Sequence, residues 1–339
     1  MGRVTFGVSH GAWVFFCACV GAGRGVNSVL PDGLSMSDDN GNNLKERVRE
    51  FWQANPCGTK FTDAVMGSRE FYERVAEHRY GTEWHIPSAA AFGRARGLKV
   101  LEIGCGLGTD GAQFARAGAD YTGVDLTDAA VELARKCFEV FNLRGEFRTA
   151  DAENLDFADD SFDLVYSHGV LHHTPDTARA VREVHRVLRP GGRACVMLYH
   201  RNSYNYRVNI GVLRRAGAHL LKREAGLRLA HRLTGEPVAS LREHAARVRE
   251  DAESYLAPGE FLNRNTDGAG NPLARVYSRR EARELFRDFA EVETATHFLN
   301  KRWLPVMGNL LSRGLEARLA ARWGWHLWIY ARKGEAKAA

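Results

Sequence analysis

From residue 99 onward, short apolar runs alternate with longer segments in which apolar positions recur every third or fourth residue. KVLEIGC, YTGVDL, EFRTADA, FDLVYSHG and RACVMLYH read as strands, being short and rich in Val, Leu, Tyr and Phe. Between them GTDGAQFARAGA, TDAAVELARKCFEVFNL and TARAVREVHRVLRP read as amphipathic helices. Strands buried on both faces and spaced by helices of ~10 residues or more predict a parallel sheet. Right-handed crossovers then put the ligand crevice at the carboxyl ends of the strands.

The flanks follow other patterns. Residues 42–52 read as a helix with Leu44, Val48, Phe51 and Trp52 in helical spacing, and Asn55-Pro56 and Cys57-Gly58 break it. A second helix opens after Ser68, a suitable N-cap, and carries Phe71, Tyr72 and Val75. Both precede the first strand and are expected to cap one end of the sheet. After His200 the alternation lapses into an Arg-rich helical stretch and a Gly/Asn/Pro-rich loop, read as a lid inserted in the same domain. It resumes with the helix SRREARELFRDF, a strand in AEVETATHFL and a terminal strand in WGWHLWIYARK. The expected organisation is an N-terminal helical cap over 36–96, a binding core over 97–200, the insertion over 201–275, a closing part of the sheet over 276–334 and a tail over 335–339. The apolar GAWVFFCACVGAG is shorter than the ~20 residues a membrane helix requires. Met36 opens a polar leader into the first helix, so translation is expected to begin there, with residues 1–35 a non-native or disordered leader.

Composition narrows the class without naming it. The chain of 339 residues carries a net charge of +6, ordinary for a globular protein and far from a collagen-like, disordered or disulfide-dense one. Its six cysteines show no paired metal-ligand spacing, so a reducing, cytoplasmic setting and no metal site are expected. Residues 201–250 hold eleven Lys and Arg against four Asp and Glu, which fits a solvated helical surface or an anionic partner.

The chemistry concentrates in VLEIGCGLGTD, residues 100–110. Glycine serves where a backbone turns tightly or a ligand must approach it, and Gly104, Gly106 and Gly108 lie where the first strand gives way to a helix. Dinucleotide sites use G-x-G-x-x-G at this place, but Thr109 stands where the third glycine would fall. Asp125, at the end of the second strand, suits a carboxylate that accepts from ribose hydroxyls, and Thr127 is free to cap the following helix in its stead.

TADAENLDFADDSFDLVYSHGVLHHTPD and VLRPGG, taken with VLEIGCGLGTD and GVDL, closely resemble the class I S-adenosylmethionine-dependent methyltransferases with the small-molecule-type domain. The resemblance implies an α/β, Rossmann-like sheet of seven mostly parallel strands in the order 3-2-1-4-5-7-6, the last antiparallel, with helices on both faces. It implies S-adenosyl-L-methionine as cofactor. Glu102 and the loop of Gly104, Cys105, Gly106 and Gly108 would hold its methionine end, Asp125 and Leu126 the ribose side, Asp151 and Ala152 the adenine edge, and Ser167 and His168 would border the methionine portion and the sulfonium.

Such a transfer needs a base only if the acceptor must lose a proton, and His168, His172, His173 and His200 are placed near the ends of strands four and five. The same histidines would also serve simply to shape the pocket. Acceptor contacts are expected from Tyr80, His85, Tyr199 and Tyr204, where large aromatics would equally serve as lid packing. Pro56-Cys57 precedes the glycine loop rather than following the fourth strand, and SHGV replaces the [DNS]-P-P-[YF] signature of base-amine and glutamine methylation. Both absences disfavour a nucleic acid, and a small-molecule acceptor nucleophile (O, N, S or C) is the expected partner, with no membrane. An RNA or protein methyltransferase using the Arg-rich insertion, and a non-catalytic cofactor-binding scaffold, are the alternatives.

Overall fold

The computed structural model describes residues 40–234, 236–300 and 311–335. The proposed leader and the Met36 start lie outside the described residues, as do residues 336–339 of the tail.

Three helices come first: α1 (Asn40–Ala54), α2 (Arg69–Thr82) and the short α3 (Ile86–Ala90), which the sequence reading lacked. Ser68 caps α2 by accepting from the Phe71 amide, as the sequence suggested. Five strands follow, β1 (Lys99–Ile103), β2 (Asp120–Asp125), β3 (Glu146–Thr149), β4 (Phe162–His168) and β5 (Leu188–His200), spaced by α4 (Thr109–Arg116), α5 (Asp128–Val140) and, between β4 and β5, α6 (Thr177–Val187). The last of these helices ends earlier than its pattern suggested, and β5 begins at Leu188 and runs through Pro190-Gly191-Gly192.

Beyond β5 the chain winds through π-helical turns over Asn205–Arg214 and then forms α7 (Arg215–Ala218), α8 (Glu224–Thr234), α9 (Val238–Glu250), α10 (Ala252–Leu256) and α11 (Pro258–Arg264). It returns as β6 (Val276–Tyr277), α12 (Arg279–Leu285), β7 (Glu291–His297), α13 (Arg313–Trp323) and β8 (His326–Arg332). The sequence pattern gave no sign of β6, which adds two pairs to β5, or of α13.

The strand order is β3-β2-β1-β4-β5-β8-β7, with β6 beside the end of β5. Setting β6 aside, this is the expected order, and β8 runs antiparallel to both its neighbours, β5 and β7. Alternation along the strands divides the core into two layers. Val100, Tyr121, Tyr166 and Trp328 face α2 to α5, while Leu101, Val165, Val196 and Ile329 face α6 and α12. The sheet is thereby covered on both sides, and its open edge is the row of strand carboxyl ends.

Candidate functional site

A single cavity runs along that row, from Asp151 beyond β3 to His326 on β8. The glycine turn forms its floor near β1. Gly104, Gly106 and Gly108 all have positive φ, at +79°, +51° and +75°, where a side chain is strained. Their surroundings differ. A Cβ on Gly104 would lie 2.1 Å from Val170 Cγ2, and one on Gly108 would press on Ala134 of α5 at 3.2 Å, whereas one on Gly106 would meet nothing within 4 Å. Two of the glycines thus serve the protein's own packing, and Gly106 opens onto the cavity.

Acids ring this end. Asp125 accepts from the Gly106 amide at 3.1 Å and from the Thr127 amide and hydroxyl at 3.0 and 2.9 Å, which ties β2 to the turn. Thr127 also caps α5. Burial pushes the Asp125 carboxyl up, against the hydrogen bonds it accepts. Asp151 accepts from Lys45 of α1 at 2.6 Å, and Lys45 also pairs with Glu153 at 2.7 Å, so the first helix is clamped across the β3 side. Cys105, Leu126 and Ala152 complete the lining here, and the Cys105 thiol is free and buried.

Behind the turn lies a buried polar network. Arg79 of α2 holds Asp110 through two hydrogen bonds, Nε to Oδ1 at 2.9 Å and Nη2 to Oδ2 at 2.6 Å, and the Tyr80 and Tyr166 hydroxyls each donate to the same carboxylate at 2.8 Å. Burial works against the Asp110 charge, but Arg79 and the two hydroxyls outweigh it and hold the carboxyl below its ordinary range. Glu102 takes the opposite course: burial, then the Asp110 charge, push its carboxyl well up, and it accepts from Tyr121 at 2.6 Å.

The far end is assembled from elements distant in sequence. His168 ends β4, Glu83 follows α2, and His326 opens β8. One carboxylate oxygen of Glu83 and one ring nitrogen of each histidine lie within 4.8 Å of one another. Burial holds the His168 and His326 rings neutral, with pKa values well below the ordinary one, and pushes the Glu83 carboxyl up to about 7. Next to them Tyr199 donates to Asp267 at 2.8 Å and stacks on Trp325 at 4.3 Å, and His173 Nε2 stands 3.4 Å from the other Asp267 oxygen.

Several residues singled out in the sequence do not line the cavity. Tyr80 turns its hydroxyl to Asp110 instead, and Ser167 donates to the Ile103 carbonyl at 2.9 Å. His85 is one layer back, stacked on His297 at 5.2 Å and 3.2 Å from His326 Nδ1, and burial lowers its pKa to about 3. His172 is fully buried with its ring 3.8 Å from Tyr199, and His200 donates from Nδ1 to the Gly324 carbonyl at 2.9 Å. Tyr204 and Gly108 also stand outside the wall. His172 and His200 lie near the ends of strands four and five, and Tyr80 and His85 in the N-terminal helical cap, but packing turns these rings to Tyr199, the Gly324 carbonyl, Asp110 and His297. Conversely, Lys45, Arg79, Glu83, Asp267, Phe298 and His326 line the cavity without having drawn notice in the sequence.

Residues 101–196 match the family described as the methyltransferase domain. Over this segment the chain carries a methyltransferase domain. The matched segment of this domain runs from β1 to β5 and includes the glycine turn, Asp125, Asp151 and His168. Among curated proteins, a methyltransferase of Streptomyces halstedii is 42% identical over 103 residues, 30% of this chain and 37% of its own length. A ubiquinone biosynthesis O-methyltransferase of Alkalilimnicola ehrlichii is 34% identical over 119 residues, 35% of this chain and 48% of its own. The chain thus spans less than half the length of these relatives. Among solved structures, an S-adenosylmethionine-dependent methyltransferase from Mesorhizobium loti superposes with a TM-score of 0.44 at 21% identity, over 77% of this chain and 100% of that one. No described helix is long and apolar enough to cross a membrane.

Proposed function

We propose that this chain transfers a methyl group from S-adenosyl-L-methionine to a small-molecule nucleophile. The observation that carries this reading is the continuity of the cavity. One space joins the family's cofactor-side positions, Glu102, Gly106, Asp125 and Asp151, to an aromatic recess at β5 and β8. The cradle fits the cofactor at an observable point: Gly106 leaves open the volume that a Cβ would fill. Acids at the ends of β1 and β2 and beyond β3 suit a molecule with hydroxyls, amino groups and a cationic sulfur.

When bound, the cofactor supplies a methyl group on a sulfonium, already electrophilic, so the protein's share is positioning and exclusion of water. Asp125, fixed by Gly106 and Thr127, would take the ribose hydroxyls, Asp151 and Ala152 the adenine edge, and Glu102 with the turn the amino-acid end. Trp52, Tyr199, Phe298 and Trp325 give the recess apolar walls, as a small, partly apolar acceptor requires. Asn265, Thr266 and Asp267 close it from the loop before β6.

Incubating the purified chain with methyl-labelled cofactor and fractionated metabolite extract tests the proposal. Label should pass into a low-mass product, and transfer confined to RNA or protein would refute the small-molecule assignment.

A further inference from the structure

Among the described residues, three buried polar atoms on side chains that line the cavity have no hydrogen-bond partner: Glu83 Oε2, His168 Nε2 and His173 Nε2. Glu83 Oε2 accepts no hydrogen bond, and Arg79 Nη1 is 3.6 Å from it, beyond bonding reach. His168 Nε2 is likewise buried and unpaired. The other nitrogen of that ring decides what Nε2 carries. Arg79 Nη2 lies 3.2 Å from Nδ1, and because a guanidinium only donates, Nδ1 holds a lone pair and the hydrogen of the neutral ring is on Nε2. The recess therefore presents an acceptor, Glu83, beside a donor, His168, and both line it.

Glu83, His168 and His326 have the donor types of an ion site. A nitrogen that carries hydrogen has no lone pair for a metal, however, and the Arg79 cation stands at the same ring. A hydroxyl group suits the pair better. It donates to one side and accepts from the other, and two hydrogen bonds of ~2.8 Å to one oxygen span up to ~5.6 Å. One carboxylate oxygen of Glu83 and one ring nitrogen of His168 lie within 4.8 Å of each other.

We propose that Glu83 is the general base of an O-methylation and that the acceptor is a phenolic or enolic hydroxyl held between Glu83 and the His168 Nε2–H. This rests on the methyl-transfer reading above. An ammonium group only donates and would set its hydrogens against the His168 N–H. An acidic hydroxyl, with a pKa near ~10 for a phenol against ~16 for water, lies much closer to what a carboxylate can deprotonate. The aromatic walls complement a flat ring.

In the step, the acceptor oxygen forms a bond to the methyl carbon as its proton passes to the Glu83 carboxylate. The pair of the breaking carbon–sulfur bond stays on sulfur. The products are the methyl ether, S-adenosylhomocysteine and protonated Glu83, which returns its proton to solvent.

The groups around Glu83 support that role. Burial raises its pKa to about 7, Arg79 on its own helix opposes the rise, and Asp110 and Cys57 add to it. His326 on β8, 4.0 Å from Oε1, and His168 on β4 remain neutral. The carboxylate form thus grows as pH rises through about 7.

The test uses the full chain, its E83Q and E83D variants, and phenol, aniline and thiophenol probes on one skeleton. Methyl transfer should favour the phenol and rise between pH 6 and 8. E83Q should lower kcat ~100-fold or more and lose the acid limb, and E83D should restore part of the rate. S-adenosylhomocysteine affinity should stay within ~2-fold in E83Q, since the base lies outside the cofactor cradle. A preference for nitrogen or sulfur, an unchanged E83Q rate, or a stoichiometric metal in the purified protein would overturn the proposal. If no probe is methylated, binding of 4-nitrophenol to the S-adenosylhomocysteine-loaded protein decides: wild type must bind it and E83Q at least ~10-fold more weakly, and absence of wild-type binding sinks the idea. Failure to bind S-adenosylhomocysteine at all would instead refute the methyltransferase reading itself.

Discussion

The glycine-turn end of the cavity is made by backbone and near neighbours, at the tips of β1 and β2 and just past β3. The Glu83–His168 end is assembled by side chains from α2, β4, β5, β8 and the loop before β6. At the first end a change of side chain matters mainly where it collides. At the second, each group is held in its protonation state by charged or buried neighbours, so one substitution propagates to the others. Architecture explains the contrast: the strand-to-turn junction is common to the fold, while the recess is the part free to vary with the acceptor.

The largest effect should come from Arg79→Ala, which leaves Asp110 charged and buried without its guanidinium. The loss should be about 3–5 kcal/mol in denaturant unfolding, typical of an orphaned buried charge. Adding Asp110→Asn should recover part of it, and an additive double mutant would show that the pair is not the source.

Next come the glycines, which set the two kinds of close approach against each other. Gly104→Ala places a methyl on Val170 at a strained φ and should cost about 2–4 kcal/mol. Gly106→Ala should cost only about 1–2 kcal/mol, because its Cβ meets open space, yet it should weaken cofactor binding more per unit of stability lost. Equal thermal shifts in the two variants would undo the distinction.

A smaller, graded effect is expected with pH. His85, with a pKa lowered to about 3, and His168, His172 and His326, lowered well below their ordinary value, stay neutral in the fold but gain protons when unfolded. The unfolded chain binds more protons below ~6.5, so stability is full above that pH and falls beneath it, by about 1.4 kcal/mol per pH unit for each ring still neutral. Glu83, raised to about 7, and Glu102, Asp125, Glu243 and Asp267, also raised, act in the opposite sense, but His185, His200, His244 and His297 are lowered as well, so the rings outnumber the acids. Melting temperature should therefore drop from pH 7 to pH 5, and a flat profile would mean that the rings are not buried neutral.

The same division decides what could be read beforehand. The Ser68 and Thr127 caps and the glycine turn rest on local pattern, the strand order on the family resemblance, and the structure has them where these put them. The recess rests on contacts such as Arg79 with Asp110 and His85 with His326, the latter 241 positions apart, which no local periodicity encodes. Glu83 looks like any polar residue at the end of an amphipathic helix. Its role emerges only when burial removes its water. Tyr80, on the helical cap, and His200, at the end of β5, show the reverse, since packing turns them to Asp110 and the Gly324 carbonyl rather than into the cavity.

The central claim is that the cradle around Gly106 and Asp125 receives an adenosyl sulfonium. Calorimetric titration of wild type and Gly106→Val with S-adenosyl-L-methionine tests it most directly, with circular dichroism to check that the variant stays folded. The account predicts one-to-one binding by wild type and its loss in the variant. No binding by wild type, or equal affinity in both proteins, would contradict it.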